Sequence, residues 1–151
     1  MLGMGETKRR LAAILAADVA GYSRLMGADE DGTVAALDAC RAIFRGAIES
    51  HHGRVVDTAG DSVLATFESV VEAVRCSVEV QGALANRDAD LADDRRMRFR
   101  IGVNLGDVIA KDDGTIYGDG VNVAARLESL AEPGGICLSG SAHEQVEGKT
   151  D

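Results

Sequence analysis

The chain is poor in aromatic residues, which make up 3% of it, and it contains no tryptophan and a single proline. Its core must therefore be built mainly from valine, isoleucine, leucine and alanine. An excess of positive charge is also missing, because the formal net charge is −9. A nucleic-acid polymer is an unfavourable partner for such a surface. A small anionic ligand is compatible with it if a metal ion neutralises that ligand locally.

Cysteine is scarce and irregularly spaced. Cys40, Cys76 and Cys137 form no CxxC pair, which argues against a zinc site and a disulfide framework. We expect all three to be reduced and buried. The longest apolar run, residues 11–17, is too short to span a bilayer and lacks a signal-peptide cleavage pattern. The expected location is cytoplasmic, in a domain that a longer parent protein could tether to a membrane.

Several catalytic motifs are absent. The sequence has no GxxxxGK[ST] loop, no GxGxxG after a strand, no HExxH and no GxSxG. His51, His52 and His143 lack metal-ligand spacing relative to one another, and the adjacent pair is best interpreted as a solvated helix end.

The pattern along the chain predicts strands and helices in alternation. Residues 1–10 are expected to be a flexible lead-in, and residues 11–151 a single domain. The predicted strands are 11–17, 54–57, 63–67, 97–103, 108–110 after a turn at Gly106, and 136–138; the predicted helices start near 27–32, 70 and 118 and end near 51, 84 and 130. This alternation, with one antiparallel hairpin, predicts an α+β or α/β fold with helices packed on a sheet.

Two aspartates stand at expected strand ends. Asp18 closes the apolar run, and Gly21 just after it would let the backbone approach a ligand closely. Asp61 lies in the hairpin turn. Each has an ordinary structural explanation, Asp18 as a helix cap and Asp61 as a turn residue. If the hairpin lies beside the first strand, however, the two carboxylates converge, and a divalent cation is the usual way to neutralise such a pair.

Asn122 and Arg126 are four residues apart in the last long helix, so they share one face. The apolar stripe of this helix is expected at Val123, Leu127 and Leu130. Arg126 offers a planar fork for phosphate oxygens, and Asn122 can bond a ribose oxygen. The alternative is that Arg126 forms a surface ion pair with Glu128 or Asp119.

Four segments in order, residues 14–22, 60–65, 100–106 and 117–126, resemble the class III adenylate/guanylate cyclase catalytic domain of bacterial type. The resemblance covers roughly residues 9–140. It implies an α+β fold with a ferredoxin-like βαββαβ core, helices packed on a mixed sheet, and active sites shared between the subunits of a head-to-tail homodimer. It also implies a lyase that converts ATP, or GTP, to the 3′,5′-cyclic nucleotide and pyrophosphate.

The resemblance also implies roles for individual residues. Two Mg²⁺ or Mn²⁺ ions would be bound by Asp18, Asp61 and the backbone carbonyl of Val19, with no other kind of metal expected. A second copy of the chain would supply Asn122 to the ribose and Arg126 to the α-phosphate. The remaining substrate contacts are expected from Ala20, Gly21, Tyr22, Asp57 and Thr115.

Two positions depart from the adenylate-type pattern. Asp57, four residues before Asp61, stands where that type carries a lysine, and Thr115 stands where it usually carries an aspartate. Thr115 can accept a bond from an adenine amino group. Asp57 favours guanine, unless it points into solvent and the base is held by other contacts. The family's domain also normally continues with a further helix and strand pair, which we expect this chain to lack.

These departures leave a second function open. A catalytically weak nucleotide-binding or dimerisation module that regulates a partner is the alternative to an active cyclase. A diguanylate cyclase or polymerase palm shares the two-metal logic, but it needs a GG[DE]EF-type turn that residues 60–62 do not supply.

Overall fold

The structure is a computed structural model that describes residues 7–148. In this part of the chain the strands are β1 (Thr7–Val19), β2 (Arg54–Asp57), β3 (Val63–Phe67), β4 (Phe99–Lys111), β5 (Ile116–Tyr117) and β6 (Ile136–Leu138). The helices are α1 (Tyr22–Ala28), α2 (Glu30–Ser50), α3 (Val70–Arg87), α4 (Asp119–Leu130) and α5 (Gly140–Val146), with a single 3-10 turn at Asp93–Arg95.

The strands form one mixed sheet in the order β2-β3-β1-β4-β5, with β6 added parallel to β4. The pairs β1–β3, β1–β4 and β2–β3 are antiparallel. The first four strands, with α2 and α3 between them, therefore make the predicted ferredoxin-like βαββαβ core. The expected α+β class and the mixed sheet are confirmed.

Strand β1 is buried on both faces, which explains its unbroken apolar sequence. Alternate residues from Ala13 to Val19 enter the main core under α2 and α3, while Ala12, Ile14 and Ala16 enter a smaller core under α4. The three phenylalanines all lie in the main core, and Phe44, Phe67 and Phe99 are the largest fully buried side chains of the described residues. The helices on the two faces thus hold β1 and β4 at the centre of the molecule.

The structure corrects the predicted N-terminal boundary. Residues 7–10 are not a loose lead-in, because Thr7–Val19 is one continuous strand paired with β4 along its whole length. The apolar run revealed only the buried middle of this strand, since Lys8 and Arg9 pair with β4 while their side chains are exposed. Residues 1–6 lie outside the described residues, and the single-domain organisation stays a prediction.

The predicted turn at Gly106 is wrong, because β4 runs without interruption from Phe99 to Lys111. Gly106 is needed for close packing instead: a Cβ there would lie 2.8 Å from the Asn104 amide nitrogen and 3.2 Å from the Gly120 Cα. The two seven-residue helices α1 and α5 were not predicted, and each buries only one or two side chains.

The predicted apolar stripe of α4 is also wrong. The buried positions are Gly120, Ala124 and Glu128, whereas Leu130 is 75% exposed. Two of these three residues, Gly120 and Ala124, are small, and α4 lies very close to β4. A Cβ on Gly102 of β4 would meet the Ala124 carbonyl oxygen at 2.5 Å. Leu130 therefore lies on the face of α4 that points away from the sheet.

Two further expectations have mixed outcomes. Cys40 and Cys76 are buried as predicted, and burial raises the pKa of their thiols to about 11 and about 12. Cys137 is half-buried instead, because β6 pairs with β4 on one side only among the described strands.

Within residues 7–148, no helix has the length and apolar character needed to cross a membrane.

Candidate active site

Asp18 lies near the end of β1, opposite Arg100 of β4 in the strand register. The buried residues before it fix the strand between its neighbours, so its carboxylate is held at the edge of the core. Its side chain is 24% exposed. A carboxylate in this position is rigidly placed and still accessible to a ligand.

Asp61 lies in the turn between β2 and β3. The register pairs Ala17 with Val63, the first residue of β3, so the turn that precedes β3 lies beside the end of β1. The Asp61 Oδ2 atom accepts a hydrogen bond from the Val19 amide at 3.2 Å. The Asp61 carboxylate is therefore held against the residue that follows Asp18, and the sheet brings the two acidic side chains together.

Arg41 of α2 holds the Asp61 turn through hydrogen bonds to its backbone. Its Nη2 atom donates to the Thr58 carbonyl at 2.6 Å and the Ser62 carbonyl at 3.5 Å, and it also contacts the Gly60 carbonyl. Three carbonyls that flank Asp61 thus share one guanidinium. This interaction ties the loop to a helix that is itself packed in the main core.

Arg100 bridges Asp18 to α4. Its Nε donates to Asp18 Oδ1 at 3.1 Å and its Nη2 donates to Asp18 Oδ2 at 3.0 Å. The same Nη2 lies 3.4 Å from Glu128 Oε2. The hydrogen bonds with Asp18 raise the pKa of the guanidinium above its usual value, so Arg100 is a permanent positive charge beside Asp18.

Glu128 is the buried acidic residue of this group, with its side chain 10% exposed. Burial raises its pKa to about 7, and the neighbouring Asp18 carboxylate adds to the effect. Among the described residues, its Oε2 atom makes no hydrogen bond. Arg100 therefore faces one carboxylate that it binds fully and a second that it only approaches.

The segment after Asp18 has an unusual backbone. Gly21 adopts the left-handed conformation, with φ of 68°, immediately before α1. The Ala20 amide donates to the Arg98 carbonyl at 2.8 Å, and the Tyr22 side chain packs against the main core. The structure links Val19 to Asp61 through its amide, while metal binding by its carbonyl stays a prediction.

Asn122 and Arg126 lie on the exposed side of α4, as the spacing predicted. Neither side chain makes a hydrogen bond or ion pair with another residue of the described range. The alternative of a surface ion pair for Arg126 is therefore not seen, because Glu128 faces Arg100 instead. The structure does not bring Asn122 and Arg126 into contact with Asp18 and Asp61 of the same chain.

The two positions predicted to bind the base are both exposed. Asp57 Oδ1 accepts from the Ala59 amide at 3.1 Å, so part of this carboxylate stabilises the turn before Asp61. Thr115 lies just before β5, and its amide donates to Asp113 Oδ1 at 2.9 Å. Both side chains are exposed to a ligand, but within one chain they do not define a closed base pocket.

The donors at this site suit a hard divalent cation. Within residues 7–148, no three His, Cys, Asp or Glu side chains form a complete metal site. Mg²⁺, however, is commonly bound by one or two carboxylates, with substrate phosphates and water as the remaining ligands. Asp18 and Asp61 fit that role, and the phosphates of a nucleotide would complete the coordination.

Arg41, Arg100 and Glu128 were not predicted as site residues. Arg100 stands in a segment with alternating apolar and basic residues, which indicated only a strand with one buried face. Its role depends on the register that places it opposite Asp18. Glu128 was considered only as a surface partner of Arg126, and nothing in the sequence around Arg41 connects it to the hairpin turn.

Comparison with known proteins gives a consistent result. The sequence model of the adenylate and guanylate cyclase catalytic domain matches residues 6–150. A Rhizobium meliloti protein named as a candidate adenylate cyclase is 50% identical over 145 residues, covering 95% of this chain and 24% of that protein. The solved adenylate/guanylate cyclase/hydrolase of Silicibacter pomeroyi has a TM-score of 0.89 at 43% identity, covering 96% of this chain and 84% of the other.

A more distant structure shows the same fold. The adenylyl cyclase CyaB of P. aeruginosa has a TM-score of 0.83 at 21% identity, covering 95% of this chain and 84% of the other. The chain spans about a quarter of the length of the Rhizobium relative, 24%. Catalytic domains of this type act on nucleotides and use divalent metal ions. The family match, the relatives and the sheet topology together show that this chain belongs to the adenylate and guanylate cyclase catalytic domain family, whose members are lyases.

Proposed function

We propose that this domain converts ATP or GTP to the 3′,5′-cyclic nucleotide and pyrophosphate, with divalent cations held by Asp18 and Asp61. The hydrogen bond from the Val19 amide to Asp61 carries this proposal, because it places the second carboxylate beside the first. Bound cations would lower the pKa of the attacking ribose 3′-hydroxyl and neutralise charge on the triphosphate.

Within each site, Asp18 and Asp61 orient the triphosphate, and the backbone at Gly21 lets the phosphates come close. Arg126 stabilises the charge that develops on the α-phosphate, and Asn122 positions the ribose. These last two side chains are exposed, unpaired within the described range and not in contact with Asp18 of their own chain. A head-to-tail homodimer, in which each copy supplies them to the other, satisfies both observations.

The first test measures product formation with Mn²⁺ and either ATP or GTP, followed by chromatographic separation of the cyclic products. We expect Asp61→Asn to abolish activity. The matched control is Asp38→Asn, which makes the same charge change at an exposed position of α2. Absence of product from the unchanged protein at high concentration would refute the proposed cyclase activity. It would support a nucleotide-binding or dimerisation module instead.

Mixing two inactive variants tests the shared site. Asp61→Asn and Arg126→Ala each destroy a different half of every site, but a mixed dimer retains one intact site. Random assortment should restore about a quarter of the unmixed wild-type activity, because half of the dimers are mixed and each has one of two sites. Activity that does not recover on mixing would contradict the head-to-tail arrangement.

Base preference is tested at Asp57, whose second carboxylate oxygen is available for a ligand. A carboxylate accepts from the N1–H and amino groups of guanine and repels the N1 lone pair of adenine. We therefore expect Asp57→Asn to lower the ratio of cyclic GMP to cyclic AMP. An unchanged ratio would mean that Asp57 only stabilises its turn, and Thr58→Ala serves as the neighbouring control.

A further inference from the structure

One guanidinium in the candidate site lies between carboxylates that belong to different elements of the fold. Arg100 makes two hydrogen bonds with Asp18 of β1, at 3.1 and 3.0 Å. On its other side it lies 3.4 Å from Glu128 Oε2 and 3.4 Å from the Ser129 carbonyl, both on α4. Arg100 therefore contacts the expected metal ligand and the helix that carries Asn122 and Arg126.

We propose that Arg100 is an internal counter-ion of the metal site, which competes with the divalent cation for Asp18 and moves onto Glu128 when the cation binds. This inference rests on the proposed function, because it assumes that Asp18 and Asp61 are the metal ligands. It assigns Arg100 and Glu128 a positioning role in setting metal affinity.

The competition follows from the geometry at Asp18. Both carboxylate oxygens are engaged by Arg100, and they are the same atoms that a divalent cation needs at about 2.0–2.6 Å. A guanidinium within hydrogen-bond distance of those oxygens would also repel the cation electrostatically. The measured affinity for metal is then reduced by the cost of releasing Arg100 from Asp18.

Glu128 is suited to accept the released guanidinium. Its Oε2 atom is buried and makes no hydrogen bond among the described residues, so it has an unused acceptor. Because Arg100 Nη2 is already 3.4 Å away, a shift of a few tenths of an ångström would complete the hydrogen bond. Arg100 therefore has a second partner within reach and need not be expelled into solvent.

A purely structural role for Arg100 predicts the opposite sign. If Arg100 only holds Asp18 in position, its removal would loosen the ligand and weaken metal binding. If it competes with the metal, its removal strengthens binding. The direction of the change in metal affinity thus separates the two interpretations without any measurement of catalysis.

The test is a titration of the protein with Mn²⁺ alone, followed by electron paramagnetic resonance of the free ion. Arg100→Met should tighten Mn²⁺ binding by on the order of tenfold, the scale at which neighbours of metal ligands act. The control is Arg98→Met, which removes the same charge two residues before Arg100. Arg98 pairs with Asp93 at 3.2 Å and makes no side-chain hydrogen bond or ion pair with Asp18 within the described residues. This control should leave the affinity within about twofold of the wild type.

A second pair of variants tests Glu128. Glu128→Gln should weaken Mn²⁺ binding in the wild-type background, because the Arg100 guanidinium then loses the carboxylate to which it would move. In the Arg100→Met background the same change should weaken binding much less, because no guanidinium has to move. The midpoint of thermal unfolding gives an independent readout: Mn²⁺ should raise it more in Arg100→Met than in the wild type. If Arg100→Met does not fold, Arg100→Gln carries the same test.

Weaker or unchanged Mn²⁺ binding in the Arg100 variant would overturn this inference while leaving the metal site intact. Loss of binding in Asp61→Asn distinguishes that case, since it shows that the titrated ion occupies the proposed site. If the unchanged protein binds no Mn²⁺, the metal site of the proposed function fails, and the role of Arg100 fails with it.

Discussion

Replacing Gly102 by alanine tests the close approach on which the geometry of α4 depends. Gly102 lies in β4, two residues after Arg100, and a Cβ there would point at the backbone of α4. It would meet the Glu128 amide nitrogen at 2.4 Å and the Ala124 carbonyl oxygen at 2.5 Å. Ordinary contacts of a Cβ fall at 3.4–4 Å, so the helix must move away by about an ångström.

The expected cost combines two opposing terms. Overpacking a close-packed site costs about 1–3 kcal/mol, and both nearest atoms here belong to the backbone, which cannot rotate away. Replacing a strand glycine by alanine recovers roughly 0.5–1 kcal/mol of chain entropy. With the upper end of the overpacking range, because the overlap is with backbone atoms, the net destabilisation is about 2 kcal/mol, which corresponds to a fall in the unfolding midpoint of about 4–8 °C for a domain of this size.

The same displacement should impair catalysis, since Asn122 and Arg126 are carried on α4. A shift of 1 Å at catalytic groups can lower the rate by about 100-fold. Urea unfolding followed by circular dichroism gives the free energy of unfolding, and product formation gives the rate. Gly46→Ala is the control, because a Cβ at this exposed helix position meets nothing within 4 Å. It should stabilise the protein slightly, by about 0.5–1 kcal/mol. A Gly102→Ala variant with wild-type stability would refute the packing argument.

Two further predictions concern the turn of Asp61 and the end of α2. Arg41→Gln should weaken Mn²⁺ binding and lower the rate by about 10–100-fold, because the turn that carries Asp61 loses its guanidinium. His51 bonds the side chains of Glu79 and Glu72, and these bonds raise its pKa above 6.5. The stability that His51 adds, measured as the difference in unfolding free energy from His51→Gln, should be greatest below about pH 6.5 and disappear as pH rises through the raised pKa. It should also diminish below about pH 4.5, as Glu72, whose pKa the same interaction lowers, becomes protonated.

Neighbouring residues provide the controls for these two tests. Arg45→Gln changes the same charge one helical turn after Arg41, at an exposed position, and should leave Mn²⁺ affinity unchanged. His143→Gln removes an exposed histidine of α5 and should leave the pH profile of stability unaltered. An Arg41 variant with full metal affinity would show that the turn holds Asp61 without help from α2. A pH-independent difference for His51 would contradict its pairing with the two glutamates.

Local sequence signals were sufficient for the hairpin and the long helices. The strands Arg54–Asp57 and Val63–Phe67 were predicted with their observed bounds, because short β-branched runs flank a turn that contains Gly60. Helices α2 and α3 followed from apolar periodicity and clear ends. Helices α1 and α5 were missed because seven residues with one or two buried side chains carry too little periodicity to detect.

The errors at Gly106 and along α4 share one physical cause, which is packing between elements distant in sequence. Gly106 resembles a turn glycine, yet it is required where β4 meets the start of α4. The stripe expected at Val123, Leu127 and Leu130 was wrong because α4 turns Gly120, Ala124 and Glu128 toward the sheet, with its backbone in close contact with Gly102. Neither constraint is visible until the helix and the strand are placed together.

The sequence by itself determined the family, the fold and the pair of aspartates, because motifs and hydrophobic patterns are local properties. Only the tertiary structure decided what surrounds those aspartates. The register between β1 and β4 places Arg100 opposite Asp18. The packing of α4 brings Glu128 within 3.4 Å of Arg100. Arg41 holds the turn that carries Asp61. Charge interactions between side chains act through space, so they depend on distances that the order of residues along the chain does not specify.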